Sequence, residues 1–185
     1  MKAALRETVR GRLRRIPPDI RADASDRACA LLERQPVWRT ARAILFYAPL
    51  PEEVDLWRLA GDALGAGKLV ALPRFDAETN GYVAGHIEDL ERDMRTGRFG
   101  IREPEDRCAV VPLNRLDLIL VPGVAFDPRG RRLGRGKGFY DQLLAHVRGT
   151  TCGVAFDEQI VAEIPVEPHD VELDCILTPT RWIQP

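Results

Sequence analysis

Residues 116–141, LDLILVPGVAFDPRGRRLGRGKGFYD, contain the two features that decide the fold: an apolar strand and the Gly-rich segment that leaves it. The run LDLILVPG at 116–123 is apolar apart from one aspartate, which predicts a buried strand of a parallel sheet. After the Gly-rich segment, the pattern predicts an amphipathic helix from about Phe139 to His146. In a sheet of this kind ligands bind beyond the carboxyl ends of the strands, so the Gly-rich segment is the first candidate for a site.

The segments on either side repeat this alternation of strands and helices. We predict helices at 2–16, 19–35 and 54–65, strands at 41–49, 68–73 and 151–156, a possible edge strand at 82–88, a loop from Gly97 to Pro112, and short extended pieces at 175–183. Apolar strands alternating with helices predict an α/β fold, a three-layer sandwich whose mostly parallel sheet has helices on both faces. The length of 185 residues and the absence of repeats suit a single domain, 1–185.

The composition excludes several classes of function. The 27 basic and 28 acidic residues give a formal net charge of -1, which provides no overall attraction to nucleic acid or anionic membrane. The basic N-terminus lacks the continuous apolar core of a secretory signal, and Glu7 weakens the alternative of a mitochondrial transit peptide, so we expect a cytoplasmic protein. The four cysteines do not have metal-finger spacing and are expected to be reduced thiols.

The Gly-rich segment has the composition of a phosphate-binding loop. Gly134, Gly136 and Gly138 allow a close approach of the backbone to a ligand, and successive N–H groups can form an anion-binding concavity. Four basic residues between Arg131 and Lys137 supply positive charge for phosphates. The spacing matches neither a Walker loop nor the dinucleotide-binding fingerprint. The alternative interpretation is a tight connection whose basic side chains are only solvated.

The run PGVAFDPRGRRLGRGKGFYD at 122–141 resembles the signature of the 5-formyltetrahydrofolate cyclo-ligase family, also called methenyltetrahydrofolate synthetases. The other similar segments, in the family's order, are KAALR at 2–6, FYAPLPEEVD at 46–55, GRFGIREP at 97–104, GVAFDEQIV at 153–161 and IPVEPHDVELDCILT at 164–178. The resemblance implies an ATP- and magnesium-dependent ligase of one-carbon metabolism that makes 5,10-methenyltetrahydrofolate, ADP and phosphate. In the family's proposed mechanism the formyl oxygen attacks the γ-phosphate, and nitrogen 10 then closes the ring and expels phosphate.

The resemblance also implies a set of ATP-binding residues. They are Lys2, Arg6, Arg132, Leu133, Gly134, Arg135, Gly136, Lys137, Gly138, Phe139 and Tyr140. Lys137 is expected to stabilise the transferring phosphoryl group, with Arg135 as the second catalytic residue. Phosphoryl transfer depends on positioning and charge neutralisation, which suits a sequence without an evident Ser-His-Asp or Cys-His arrangement. The alternative for Lys2 and Arg6, four residues apart, is a solvated basic helix face.

The folate-binding residues implied by the resemblance overlap with this loop. They are Ala48, Glu53, Phe99, Arg135, Gly136, Lys137, Gly138 and Phe139. Glu53 is the right chemical type to accept two hydrogen bonds from the amino-pyrimidine edge of the pterin, and Phe99 is a candidate stacking surface. Residues 55–57, Asp-Leu-Trp, depart from the family, in which many members have a threonine there.

Magnesium is implied as a cofactor, with Asp141 and Asp170 as its ligands. The ion prefers carboxylates together with phosphate oxygens. The alternative for Asp141 is a carboxylate in the first turn of a helix, where it favours the helix dipole. Asp174 is expected to be structural, and His169 to be a hydrogen-bonding loop residue rather than a ligand.

Three other functions stay open on the sequence. A related α/β enzyme could act on a different phosphorylated substrate, since sugar-phosphate isomerases and CoA transferases have comparable folds. A non-catalytic paralogue that binds nucleotide or folate could retain the same site. Nucleic-acid binding through residues 129–137 is disfavoured by the net charge and by the lack of a recognition helix or aromatic platform. We expect a monomer with small-molecule partners, without nucleic acid or membrane.

Overall fold

The computed structural model describes residues 1–97, 100–136, 138–165, 167 and 170–185, and of Phe139 the backbone alone. The helices within these residues are α1 (Lys2–Arg14), α2 (Pro18–Glu33), α3 (Pro36–Thr40), α4 (Trp57–Gly65) and α5 (Phe139–Leu144). The strands are β1 (Ala43–Leu45), β2 (Leu69–Asp76), β3 (Gly81–Ile87), β4 (Met94–Thr96), β5 (Arg102–Pro104), β6 (Val110–Val111), β7 (Leu118–Val121), β8 (Ala125–Phe126), β9 (Arg132–Leu133), β10 (Thr150–Val154), β11 (Cys175–Leu177) and β12 (Trp182–Ile183).

One large mixed sheet organises the described part of the chain. Its eight strands follow the order β12–β11–β10–β7–β1–β2–β3–β6. The strands β11, β10, β7, β1 and β2 are parallel to one another, whereas β12, β3 and β6 pair antiparallel on the outer sides. The apolar run at 116–123 forms β7, which is buried along its whole length between β1 and β10. The predicted α/β class and mostly parallel sheet are therefore confirmed.

Successive residues of the central strands point to two separate apolar clusters, as strand geometry requires. Leu118 and Leu120 belong to the cluster that contains the buried residues of α1, α2, α3 and α4. Ile119 and Val121 belong to the second cluster, with Leu143 of α5. Helices therefore lie on both faces, but among the described residues the second face has only the short helix α5.

Several predicted boundaries are wrong for identifiable reasons. The helix predicted at 19–35 ends at Glu33, and a separate helix, α3, starts at Pro36, which takes the first helical position. The supposed edge strand at 82–88 lies inside the sheet, because β3 pairs with β2 on one side and with β6 on the other. The supposed loop from Gly97 to Pro112 contains β5 and β6, strands too short to give a periodic sequence pattern.

The Gly-rich segment contains a hairpin, β8–β9, that the sequence did not predict. The buried Asp127 carboxylate holds its turn by accepting hydrogen bonds from the N–H groups of Arg129 and Arg131, at 3.0 and 3.2 Å. Gly130 has φ of 79°, and a Cβ there would lie 2.3 Å from the carbonyl oxygen of Leu173, so only glycine fits. The hairpin turns the chain back so that the glycines after β9 reach the end of the sheet.

Across the part of the chain that the structure describes, no helix combines the length and apolar character needed to cross a bilayer.

Candidate active site

A cavity of about 960 Å³ lies beyond the carboxyl ends of β1 and β7, where the strand–loop–helix pattern predicts it. Tyr47 and Ala48, which follow β1, line one side, and Pro122 and Gly123, which follow β7, line another. The remaining walls come from α1, the Gly-rich loop, the segment before and within β5, and residues 167 and 170. This volume is within the range of small-molecule and cofactor sites.

Most of the predicted site residues meet in this cavity. Its lining includes Lys2, Arg6, Ala48, Glu53, Arg132, Leu133, Gly134, Arg135, Gly136, Gly138, Tyr140, Asp141 and Asp170. Phe99 and Lys137 lie outside the described residues, as do His169 and the side chain of Phe139, so the roles predicted for them stay predictions. Residues separated by up to 168 positions in the chain are thus brought to one place.

The N-terminal helix contributes two cations to the cavity. Arg6 Nε donates a hydrogen bond to the carbonyl oxygen of Gly134 at 2.9 Å, which links α1 to the Gly-rich loop. Lys2 Nζ lies 3.0 Å from Asp170 Oδ2 and 3.1 Å from Glu167 Oε1. Burial disfavours the charged ammonium, but the hydrogen bonds to Asp170 and Glu167 outweigh it and raise the pKa of Lys2 above its ordinary value. Lys2 is therefore fully charged at neutral pH.

Arg132 is the most enclosed cation of the loop. Its side chain is 4% exposed, and Nη2 donates to Asp141 Oδ1 at 2.6 Å. The guanidinium carbon lies 5.6 Å from the centre of the Tyr140 ring. Arg132 Nε is buried and has no hydrogen-bond partner within the described chain. These contacts fix the start of α5 against β9.

The Gly-rich loop depends on left-handed backbone geometry. Gly136 has φ of 101° and Gly138 has φ of 68°, values that side-chain-bearing residues rarely adopt. The loop places Arg135 opposite Glu53, with Nη2 2.9 Å from Oε1. Glu53 is nearly enclosed, with 8% of its side chain exposed, and its Oε2 accepts a hydrogen bond from the N–H of Leu50 at 3.0 Å.

Two tyrosines give this part of the cavity an uncharged polar lining. Burial, followed by the nearby Glu53 charge, raises the pKa of both Tyr47 and Tyr140 well above the ordinary tyrosine value. Tyr47 donates its hydroxyl to the carbonyl oxygen of Val54 at 2.7 Å. Both phenols therefore stay protonated at neutral pH, and both rings offer an apolar contact surface.

The chain is similar over nearly its whole length to proteins of one family. A model of the 5-formyltetrahydrofolate cyclo-ligase family matches residues 1–179. This chain belongs to that family. It is 32% identical over 177 residues to the 5-formyltetrahydrofolate cyclo-ligase of Escherichia coli (strain K12), covering 94% of this chain and 97% of that protein. It is 32% identical over 187 residues to the 5-formyltetrahydrofolate cyclo-ligase of Mycolicibacterium smegmatis, covering 98% and 95%.

Two solved structures are similar to this chain, one of them at the level of the fold alone. The NMR structure of the 5,10-methenyltetrahydrofolate synthetase of Aquifex aeolicus has a TM-score of 0.89 and 32% identity, covering 99% of this chain and 92% of that chain. A synthetase from Mycoplasma pneumoniae, at 21% identity and a TM-score of 0.77, shares the fold. The family match at 1–179 includes every residue that lines the cavity.

The two aspartates that the cyclo-ligase resemblance assigns to magnesium are both engaged in ion pairs. Asp141 Oδ1 accepts from Arg132, and Asp170 Oδ2 accepts from Lys2 and from the N–H of Glu167. Among the residues that the structure describes, no group of three or more His, Cys, Asp or Glu side chains could hold a metal ion. A magnesium ion here would therefore need the phosphates of a nucleotide to complete its coordination.

Eleven other residues line the cavity, eight of them inside the quoted cyclo-ligase segments, but the resemblance assigned them no role. They are Tyr47, Leu50, Pro73, Tyr82, Ile101, Arg102, Glu103, Pro122, Gly123, Leu143 and Glu167.

Two other polar residues lie away from the cavity. Arg131 belongs to the basic run but pairs with Glu163 and Glu172 at 3.4 Å and does not line the cavity. Asp174 has the expected structural position, since it accepts hydrogen bonds from the N–H and hydroxyl of Thr151 and so joins β10 to β11.

Proposed function

We propose that this protein is an ATP- and magnesium-dependent 5-formyltetrahydrofolate cyclo-ligase that produces 5,10-methenyltetrahydrofolate, ADP and phosphate. The observation that carries the proposal is the composition of one cavity. The groups predicted to bind phosphate, Lys2, Arg6 and the Gly-rich loop, line the same cavity as Glu53, which is predicted to bind the pterin. Membership of the cyclo-ligase family supports the same activity.

The chemistry requires positioned cations rather than a protein nucleophile. The formyl oxygen of the substrate attacks the γ-phosphorus of ATP, an O–P bond forms, and ADP leaves with the electrons of the broken P–O bond. Nitrogen 10 then attacks the activated carbon and gives up its proton, the carbon–oxygen bond breaks, and phosphate departs as the ring closes. In this scheme Lys2, Arg6 and Arg135 neutralise phosphate charge, and the N–H groups of the Gly-rich loop position the phosphates.

Glu53 has the role of orienting the folate. Its carboxylate is enclosed and Oε2 is held by the N–H of Leu50, so it can accept hydrogen bonds from the pterin once Arg135 leaves Oε1. Tyr47 and Tyr140 add protonated, largely apolar walls beside it. A flat heterocycle with donors along one edge fits a site of this composition.

Asp141 is the residue that we propose for magnesium, with Asp170 second. Asp141 lines the cavity, its side chain is 25% exposed, and one of its oxygens is engaged by Arg132. Magnesium held mainly by phosphate oxygens commonly adds one or two carboxylates, which Asp141 is placed to supply. When bound, the ion neutralises charge on the transferring phosphoryl group.

Several broader properties are part of the same proposal. A single domain, 1–185, is supported by the one sheet that both apolar clusters share. ATP and the folate are the proposed partners, and the monomeric state and the cytoplasmic location rest on the sequence pattern alone.

A direct test is to incubate the purified protein with 5-formyltetrahydrofolate and magnesium, with and without ATP, and to follow methenyltetrahydrofolate by its near-ultraviolet absorbance. We expect a signal that requires ATP and is lost in Lys137→Ala. Arg129→Ala is the matched control, because Arg129 is exposed, does not line the cavity and should be dispensable. A folded protein that binds ATP without forming product would contradict the proposal and favour a divergent enzyme or a binding paralogue.

A further inference from the structure

Arg102 is a cavity-lining cation to which the predicted site gives no role. It is the first residue of β5 and pairs with Thr96 of β4. The cavity cations Lys2, Arg132 and Arg135 each have a carboxylate partner. Within the described residues, Arg102 has none.

An unneutralised cation at the wall of a ligand cavity indicates an anionic ligand group. Arg6 is the other described cation of the cavity without an ion pair, and the family resemblance already assigns it to the phosphates of ATP. Arg102 therefore needs a second source of negative charge.

The guanidinium of Arg102 is held in place although it is not neutralised. Its Nη2 donates to the carbonyl oxygen of Leu90 at 2.6 Å, and its central carbon lies 5.1 Å from the centre of the Trp57 ring. A guanidinium has five N–H donors, and this is the one hydrogen bond that the Arg102 guanidinium makes to the described residues. The remaining donors, in a planar and already oriented group, suit two-point recognition of a carboxylate.

Trp57 supports the guanidinium from outside the cavity lining. It lies in the Asp-Leu-Trp segment where this sequence departs from the family. The contact with Arg102 gives that departure a physical purpose, because stacking on an indole orients a guanidinium without neutralising it.

Arg102 contacts other segments of the chain than the phosphate-binding groups do. Its contacts are with Leu90, between β3 and β4, and with Trp57, four residues after Glu53. Lys2 and Arg6, by contrast, contact the segment around residue 170 and the Gly-rich loop. A ligand whose pterin binds at Glu53 can thus extend toward Arg102 and away from the ATP phosphates.

We propose that Arg102 binds a carboxylate of the glutamate tail of the folate and makes the enzyme selective for glutamylated substrates. This inference rests on the proposed function. A reduced folate has its pterin at one end and its glutamate carboxylates at the other, so a site that holds the pterin at Glu53 meets those carboxylates at a different wall. Arg102 supplies the cation there.

The test compares 5-formyltetrahydrofolate with 5-formyltetrahydropteroate, which lacks the glutamate. We expect the wild-type KM to be about tenfold lower for the glutamylated substrate, because a pair of charge-assisted hydrogen bonds stabilises its complex by about that factor. Arg102→Met should remove that difference, leaving the KM for the pteroate, the KM for ATP and kcat unchanged. Arg102→Lys should retain part of it, because an ammonium keeps the charge but not the planar fork. Arg115→Met, an exposed arginine outside the cavity, is the matched control.

Several results would overturn the inference. An equal rise in KM for both substrates would mean that Arg102 acts through its contact with Leu90, and a rise confined to ATP would assign it to the phosphates. Melting temperatures of all variants identify any loss of folding. If an Arg102 variant is unstable, Trp57→Phe, which keeps an aromatic ring beside Arg102, takes its place in the comparison. If the wild-type protein turns over neither substrate, the proposed function fails. In that case, calorimetric affinities of wild-type and Arg102→Met protein for the same two ligands show whether Arg102 binds the carboxylate.

Discussion

Arg135 Nη2 lies 2.9 Å from Glu53 Oε1, so an ion pair joins the Gly-rich loop to the segment after β1 across the cavity. The same glutamate is predicted to bind the pterin, and the same arginine is predicted to face the phosphates. A folate that takes the Glu53 carboxylate must displace Arg135, which then becomes available to the phosphoryl group. The roles proposed for the two residues thus predict that folate binding frees positive charge for the ATP site.

The first prediction concerns the two neighbouring glutamates beside Arg135. Glu53→Gln should raise the KM for 5-formyltetrahydrofolate by about tenfold to a hundredfold, because an amide no longer accepts two charge-assisted hydrogen bonds. Steady-state kinetics measure the change. Glu52→Gln is the control, since Glu52 lies 3.5 Å from the same guanidinium but is more exposed and does not line the cavity. Similar losses in the two variants would contradict a specific pterin contact at Glu53.

The second prediction concerns the N-terminal helix. Lys2→Met should raise the KM for ATP about tenfold, because the phosphates lose a partly enclosed cation. Arg12→Met removes a charge from an exposed position of the same helix and should leave the KM unchanged. Since the pKa of Lys2 is raised in the folded protein, its ion pairs contribute stability below the ordinary value of 10.5 and lose it as the pH rises through the folded value. If Lys2→Met lowered only the melting temperature, the residue would be structural.

The third prediction concerns the backbone of the Gly-rich loop. Gly136→Ala should lower kcat/KM by about a hundredfold, because a Cβ disfavours the φ of 101° and misplaces the phosphate-binding N–H groups. Gly11→Ala is the matched control. Gly11 lies within α1 with open space around its Cβ position, so alanine should raise the free energy of unfolding by about 0.5–1 kcal/mol and leave kinetics intact. Full activity in Gly136→Ala would show that the loop does not need this backbone geometry.

The central strands and the place of the Gly-rich loop beyond β7 could be predicted because both depend on local patterns. The apolar run of β7 is continuous, and the carboxyl end of a parallel strand is where ligands bind. Lys2 and Arg6 could be placed only through the family resemblance, since a basic helix face is usually solvated. Their contacts with Asp170 and Gly134 depend on tertiary structure that spacing does not encode.

Other features could not be predicted, because long-range contacts determine them. The β8–β9 hairpin requires the Asp127 carboxylate, whose second oxygen also binds the N–H of Ile164 at 2.8 Å. The contact between Arg102 and Trp57 joins segments 45 positions apart, 102 against 57, and the local sequence around neither residue indicates it. Polar contacts of this kind leave little trace in the local sequence, whereas buried strands and helices give a clear pattern of apolar residues.

The last prediction concerns Asp93, which fixes the connection that carries Leu90, the hydrogen-bond partner of Arg102. Asp93 is buried, its Oδ1 accepts from Arg92 and Arg107, and its Oδ2 accepts from two backbone N–H groups at 2.9 Å. The hydrogen bond from Arg92 is the largest cause that lowers the pKa of this carboxyl, and the remaining hydrogen bonds outweigh the opposing effect of burial.

A carboxyl with a lowered folded pKa contributes stability above its ordinary value of 3.8, and that contribution is lost as the pH falls below 3.8 toward the folded value. Asp93→Asn should therefore lower the free energy of unfolding at pH 7 by about 1–2 kcal/mol, a modest figure because both arginines are more than half exposed. The difference from wild type should shrink below pH 3.8, as denaturant unfolding at a series of pH values would show.

The control is Glu88→Gln, which changes an exposed partner of Arg92 and should lower the free energy of unfolding little at any pH. A pH-independent difference would mean that Asp93 acts through shape rather than charge. A rise in KM for the glutamylated folate in Asp93→Asn would connect this network to Arg102, because a displaced Leu90 carbonyl no longer orients the guanidinium.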